Sequence, residues 1–149
     1  MGDDCYLSGV SFLFVRDNNV VEFGKNVIVN ASKQQRSVVN AVDGHTVSIG
    51  DKTLIANSVE IHTSDYHGIY NKSGKRINEE QNVYIGNHVW IGMRAIVLKG
   101  SRIADGCVIG AGSIVQGEHS KCNYVIAGVP AKEKYGEIQW SRLRDEFLE

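Results

Sequence analysis

Five histidines and a polar cluster around Asp65 hold most of the chemistry open to this 149-residue chain. His67 closes the run Thr63-Ser64-Asp65-Tyr66-His67. An imidazole titrates near pH 6.5 in model peptides, about where a general base is useful at neutral pH. Asp65 stands two residues before it. A carboxylate can hold a catalytic imidazole in one orientation. Strand alternation also puts residues two apart on one face with no such role, so the spacing serves both readings. His62 and His88 are rival bases. His62 and His67 are five residues apart, and with His45 or His88 they could form a three-histidine zinc site with an open position. Cys5, Cys107 and Cys122 show no CxxC spacing and read as reduced thiols rather than as ligands or a framework.

These groups need a scaffold, and the scaffold announces itself as a period of six. Blocks led by Ile49, Ile55 and Ile61, then by Ile85, Ile91, Val97, Ile103, Ile109 and Val115, begin with Ile or Val every time. The second position is mostly Gly or Ala, as at Gly50, Gly86, Gly92 and Gly110. The fifth is small or β-branched, as at Thr53, Val89, Ser101 and Cys107, with Asp65 the exception. Strands alternate faces every two residues, so six residues make one flat side and one corner. Three sides close a triangular coil of eighteen residues, with position 1 pointing inward and position 5 packed inside the corner. Neither an amphipathic helix nor a two-sided sheet keeps this period. The spacing leaves the hand of the coil open, since ordinary crossover connections favour the right.

The predicted fold is therefore all-β: a single-domain parallel β-helix over residues 1–149, with its regular coils at 23–130. Residues 1–22 are expected to form an irregular N-terminal coil and 33–46 a distorted turn. Residues 67–82 interrupt the repeat with a polar, turn-rich stretch, read as a loop thrown out from the coil. A tolerated surface insertion would look similar. In the tail at 131–149, Trp140, Leu143, Phe147 and Leu148 have helical spacing, which predicts a short C-terminal helix capping the coil.

Composition narrows the partners. The net charge is −1, far from the basic balance of a broad nucleic-acid footprint. No apolar run reaches the length of a membrane span, and the acidic N-terminus is not a secretory signal. A cytoplasmic location is expected.

Several motifs stand in order along the chain: Thr63-Ser64-Asp65-Tyr66-His67, Arg76-Ile77-Asn78, Ile85 to Gly92 (IGNHVWIG), Ile109 to Val115 (IGAGSIV) and Ala127 to Lys132 (AGVPAK). Over roughly residues 47–135 this set resembles the hexapeptide-repeat acyltransferases, above all their sugar and polysaccharide O-acetyltransferases. The resemblance implies a left-handed β-helix and a homotrimer with active sites between subunits. It also implies transfer of acetyl from acetyl-coenzyme A to a carbohydrate hydroxyl, with no metal. His67 then aligns with the catalytic base, and Trp90 with a wall of the active site, His88 beside it. Met93, Gly110, Ala111, Gln116, Gly117, Gly128 and Lys132 fall where the family contacts the coenzyme. Gly92, Gly110 and Gly128 are eighteen residues apart, either opening a groove to a ligand or serving as turn residues of the repeat. A family-typical basic residue three positions after Lys132 is here Tyr135, with Lys134 beside it.

Three other readings stay in view: an N-acetyltransferase of an amino or nucleotide sugar, a zinc lyase of the γ-carbonic-anhydrase type, and a trimeric scaffold without activity.

Overall fold

The computed structural model describes residues 1–144. Its strands form three sheets, parallel except for the last strand pair, that are the three sides of a triangular coil. The first sheet holds β1 (Tyr6–Ser8), β4 (Ile28–Asn30), β7 (Leu54–Ile55), β10 (Trp90–Ile91), β13 (Val108–Ile109), β16 (Val125–Gly128) and β17 (Ala131–Tyr135). The second holds β2 (Val10–Val15), β5 (Ser37–Val42), β8 (Glu60–His62), β11 (Ile96–Val97) and β14 (Ile114–Val115). The third holds β3 (Val20–Phe23), β6 (Thr46–Ile49), β9 (Val83–Ile85), β12 (Arg102–Ile103) and β15 (Glu118–His119).

The period of six becomes geometry at each block. Position 1 is the inward residue: all nine of the Ile and Val block leaders are at most 4% exposed. They stack in register, with Ile55 on Ile91 on Ile109 in the first sheet and Ile61 on Val97 on Val115 in the second. Position 5 fills the inside of each corner; Thr53, Val89, Ser101 and Cys107 are fully buried. Position 4 turns the corner in the left-handed region, with φ of 56° at Lys52, 52° at His88, 60° at Arg94 and 75° at Gly100. Position 2 must be small because the next coil lies against it. A Cβ on Gly92 would fall 2.6 Å from the Ile109 carbonyl oxygen, and one on Gly110 would fall 2.8 Å from the Ala127 Cβ. Coil stacking thus accounts for these two glycines without a ligand.

Three expectations need correction. Residues 1–22 are not irregular: they contain β1, β2 and β3. Their sides are longer, six residues in β2 against two in β11, so the six-residue frame does not run through them. The stretch 33–46 likewise contains β5, which pairs with β2 over six residues. At the other end, no helix is present among the described residues. The end of the first sheet is covered by β17, which folds back antiparallel on β16. Residues 136–144 are irregular, and Glu137 at φ 58° breaks any helical run. Phe147 and Leu148 lie outside the described residues.

Cys107 gives a check on the corner packing. Its thiol reaches the Lys121 carbonyl oxygen at 3.2 Å, and burial pushes its pKa up. A thiol held protonated and covered reacts slowly. With an Ellman-type reagent, exposed Cys122 should be modified first, and Cys107 on the order of 100-fold more slowly until the coil is unfolded. Equal rates would contradict this packing.

Candidate active site

The interruption is an excursion from β8 to β9, so it spans 63–82 and leaves the coil at the corner between the second and third sheets. It begins four residues before the sequence reading placed it, because Thr63 to Tyr66 already form its neck. Thr63 closes that neck: its hydroxyl accepts the Val42 N–H at 3.0 Å and its carbonyl accepts the Gln81 N–H at 3.0 Å.

Asn78 sits at the centre of the excursion, nine-tenths buried. Its amide donates to the Asp65 carboxylate at 2.9 Å and to the His67 carbonyl at 2.8 Å, and its oxygen accepts the Ile69 N–H at 2.7 Å. Lys99, from the coil below, donates to Asp65 at 2.6 Å and to the Asn78 carbonyl at 2.8 Å. Arg76 pairs with Glu80, whose other partner is the Ser64 hydroxyl. Two of the three residues in the Arg76-Ile77-Asn78 motif therefore hold the loop to its base, while Ile77 is exposed.

This assigns Asp65 a different job from either one the sequence left open. Its carboxylate is committed to Lys99 and Asn78, and no hydrogen bond joins it to the His67 ring. Its carbonyl oxygen accepts the His67 N–H at 2.8 Å in a tight turn, with Tyr66 at φ 64°. The hydrogen bond from Lys99 holds the Asp65 pKa below its ordinary value near 3.8, against a smaller opposing effect of burial. A depressed carboxylate pKa adds stability that is present above the unfolded value and lost as pH falls through the folded one. The Asp65–Lys99 contact of the clamp is thus intact at neutral pH and is lost in acid. His67 itself is exposed at the head of this clamp.

The other candidates are distributed around the triangle. Gln116 and Gly117 are exposed on the same corner as the excursion, two coils further on. Met93, Gly110 and Ala111 lie on the corner between the first and second sheets, and Gly128 ends β16, just before the turn into β17. His88 lies on the remaining corner, between the third and first sheets, with Trp90 just beyond it on β10. At about 3.3 Å per residue, one sheet width puts roughly 15 Å between that corner and the excursion. His88 is engaged elsewhere: it stacks on Trp140 with centroids 4.2 Å apart, and its Nε2 is 3.0 Å from the Trp140 carbonyl oxygen. Trp140 donates back to the His88 carbonyl at 2.8 Å and lies 5.9 Å from the Trp90 ring. Trp140 was expected on a helix; it anchors the tail to this corner instead. His62 is held between Glu60 at 3.0 Å and the Tyr66 hydroxyl at 2.8 Å. Among the described residues no group of three His, Cys, Asp or Glu side chains comes together for a metal.

Two clefts open along the excursion corner. One, of about 410 Å³, is lined by Asp65, Gln81, Leu98, Lys99, Gln116 and Gly117. The other, of about 490 Å³, lies at the end of the coil between β15 and β17 and includes Gln116, Glu118, His119, Ala131 and Lys132. Gln116 belongs to both, so a strip of accessible groups runs from the base of the His67 turn to Lys132.

Residues 82–117 match the bacterial transferase hexapeptide (six repeats) family. The chain is 38% identical over 138 residues to a putative lipopolysaccharide biosynthesis O-acetyl transferase, WbbJ, of Escherichia coli K12, covering 85% of this chain and 66% of that one. In structure it resembles the polysialic acid O-acetyltransferase OatWY, with a TM-score of 0.72, 26% identity and coverage of 95% and 78% of the two chains. It also resembles a galactoside acetyltransferase in complex with coenzyme A, with a TM-score of 0.57, 27% identity and coverage of 93% and 73%. With the sixfold period, the stacked corners and these relatives in hand, the chain belongs to the hexapeptide-repeat acyltransferases and its coil is the left-handed β-helix. It spans only part of the length of the curated relatives it matches, 54% and 66% for two of them.

Proposed function

We propose that this protein transfers an acetyl group from acetyl-coenzyme A to a hydroxyl of a sugar or polysaccharide, with His67 as general base. The observation that carries this reading is the strip joined at Gln116, which links the base of the His67 turn to the cation of Lys132. An extended thioester fits such a strip, with its acyl end at the excursion and a phosphate at Lys132. The O-acetyltransferase relatives support the choice of acceptor class, and the coenzyme complex supports the donor.

The chemistry follows from what each group can do. The neutral His67 imidazole takes the acceptor hydroxyl proton as the oxygen attacks the thioester carbonyl. The C–S bond then breaks, the acetyl ester remains on the acceptor, and the departing sulfur recovers the proton from the imidazolium. Lys99 lines the cleft with one of its three N–H groups left over after Asp65 and Asn78. That donor and cation would favour an oxyanion formed there.

A single copy leaves the candidate residues on three separate corners. We infer a homotrimer in which the Met93, Gly110 and Ala111 corner of one protomer faces the excursion corner of its neighbour. Trp90, 39% exposed on a flat sheet face, then meets the neighbour, where aromatic side chains are favoured. We place the reaction in the cytoplasm, a compartment that keeps unpaired thiols such as Cys5, Cys107 and Cys122 reduced.

Lys132 tests the donor end. Lys132→Ala should raise the acetyl-coenzyme A KM about tenfold and leave kcat within about twofold, since it removes a charge-assisted phosphate contact remote from the reacting bond. The variant should also stop distinguishing coenzyme A from its 3′-dephospho form. If both forms lose affinity equally, Lys132 does not meet that phosphate.

A further inference from the structure

The inward stack of the third sheet runs Phe23, Ile49, Ile85, Ile103 and then His119, each paired in register with the next. The corresponding stacks of the other sheets end on Ile126 and Val115. His119 therefore occupies a place that the repeat fills with an aliphatic side chain. It is 7% exposed, and its Nε2 is buried without a hydrogen-bond partner. An apolar residue would end the stack without leaving a polar nitrogen unsatisfied. The same imidazole lines the 490 Å³ cleft at the end of the coil, a volume within the range of small-molecule sites.

The neighbouring charges say which part of a ligand stands where. Glu133 is occupied by Lys121 at 2.8 Å. On the β17 side, Lys132 is exposed and makes no ion pair among the described residues. On the β15 side, Glu118 presents an exposed carboxylate next to His119, which would repel a phosphate. A buried nitrogen without a partner calls for a neutral hydrogen-bonding group rather than a charge beside it. A ligand matching this polarity places an anion on Lys132 and a neutral group with hydrogen-bonding edges on His119. A nucleotide does both.

We propose that His119 is a further binding residue, hydrogen-bonding through Nε2 to the base of the coenzyme's adenosine 3′,5′-bisphosphate end while Lys132 holds its phosphate. This assignment rests on the acetyl-coenzyme A reading above. The cleft would then select the nucleotide end, leaving the pantetheine arm to run past Gln116 towards the His67 turn.

Three proteins test it: the wild type, His119→Val, which restores the residue type of the stack, and His119→Gln, which keeps a hydrogen-bonding group. Each is melted and titrated by calorimetry with coenzyme A, adenosine 3′,5′-bisphosphate and phosphopantetheine. His119→Val should melt higher than the wild type yet bind coenzyme A and the bisphosphate about tenfold more weakly, which is about 1.4 kcal/mol. Phosphopantetheine binding should not change, and His119→Gln should recover most of the affinity. Wild-type affinity for the bisphosphate in His119→Val would overturn the proposal, as would an equal loss for phosphopantetheine. A wild type that binds none of the three overturns the acetyl-coenzyme A reading itself, a result distinct from either of those.

Discussion

His67→Ala is expected to lower kcat for acetyl transfer by about 100-fold to 10,000-fold, the usual contribution of a positioned general base, while coenzyme affinity stays within about twofold. The ring is exposed at the head of a clamp made by its neighbours, so its removal takes away a proton acceptor without taking away a fold contact. Loss of kcat and kcat/KM together, with unchanged binding, marks an interaction made only in the transition state. Steady-state kinetics with saturating acetyl-coenzyme A, beside a binding titration of the same variant, would measure both. Near-normal turnover would remove His67 as the base and turn attention to His62, whose nitrogens already lie against Glu60 and Tyr66.

Asn78→Ala is the second large effect. The side chain makes three hydrogen bonds across the neck of the excursion, at 2.7, 2.8 and 2.9 Å. Each buried partner left unsatisfied costs about 1–3 kcal/mol, and here the partners include the His67 carbonyl and the Asp65 carboxylate. The coil itself does not depend on them, so the loss falls on the placement of His67. Turnover should drop on the order of 10-fold to 100-fold, since a base misplaced by about 1 Å loses that much, with little change in melting temperature. Trypsin supplies an independent readout: cleavage after Lys72, Lys75 or Arg76 should accelerate as the excursion loosens. Unchanged kinetics and unchanged proteolysis would mean that the clamp does not position the histidine.

The regular part of the fold was open to inspection in the sequence because each position of the block has one physical job. Ile and Val lead, a small residue allows the next coil to approach, and a compact residue fills the corner. Phe23 and the coils before it were harder to read because their sides are longer. In β2, Phe12, Leu13, Phe14 and Val15 are all exposed, so no alternation marks an inward face. The tail misled for another reason. Trp140 and Leu143 have helical spacing, but Trp140 is drawn to His88, fifty-two residues earlier, a contact that local periodicity does not encode.

The site was legible in the same uneven way. The break in the period located the excursion, and the motif containing His67 marked where to look. The partner of Asp65 was not visible, because Lys99 lies thirty-four residues away and meets it only through the coil stacked below. The sequence spacing left open whether the carboxylate orients His67 or only shares its face; the structure turns it towards a lysine. His119 could not have been found from the repeat alone. It falls outside the six-residue frame, after a shortened corner at Gln116 and Gly117, so only the pairing with Ile103 reveals that it stands in an aliphatic position.

The most direct test of the central claim is to incubate the protein with acetyl-coenzyme A and a panel of sugars and oligosaccharides, and to follow both release of free coenzyme thiol and the mass of the acceptor. The account predicts thiol release that depends on an acceptor, matched by an acetyl group that mild alkali removes as an ester and that His67→Ala fails to install. An alkali-stable acetyl amide, or thiol release that no acceptor accelerates, would contradict it.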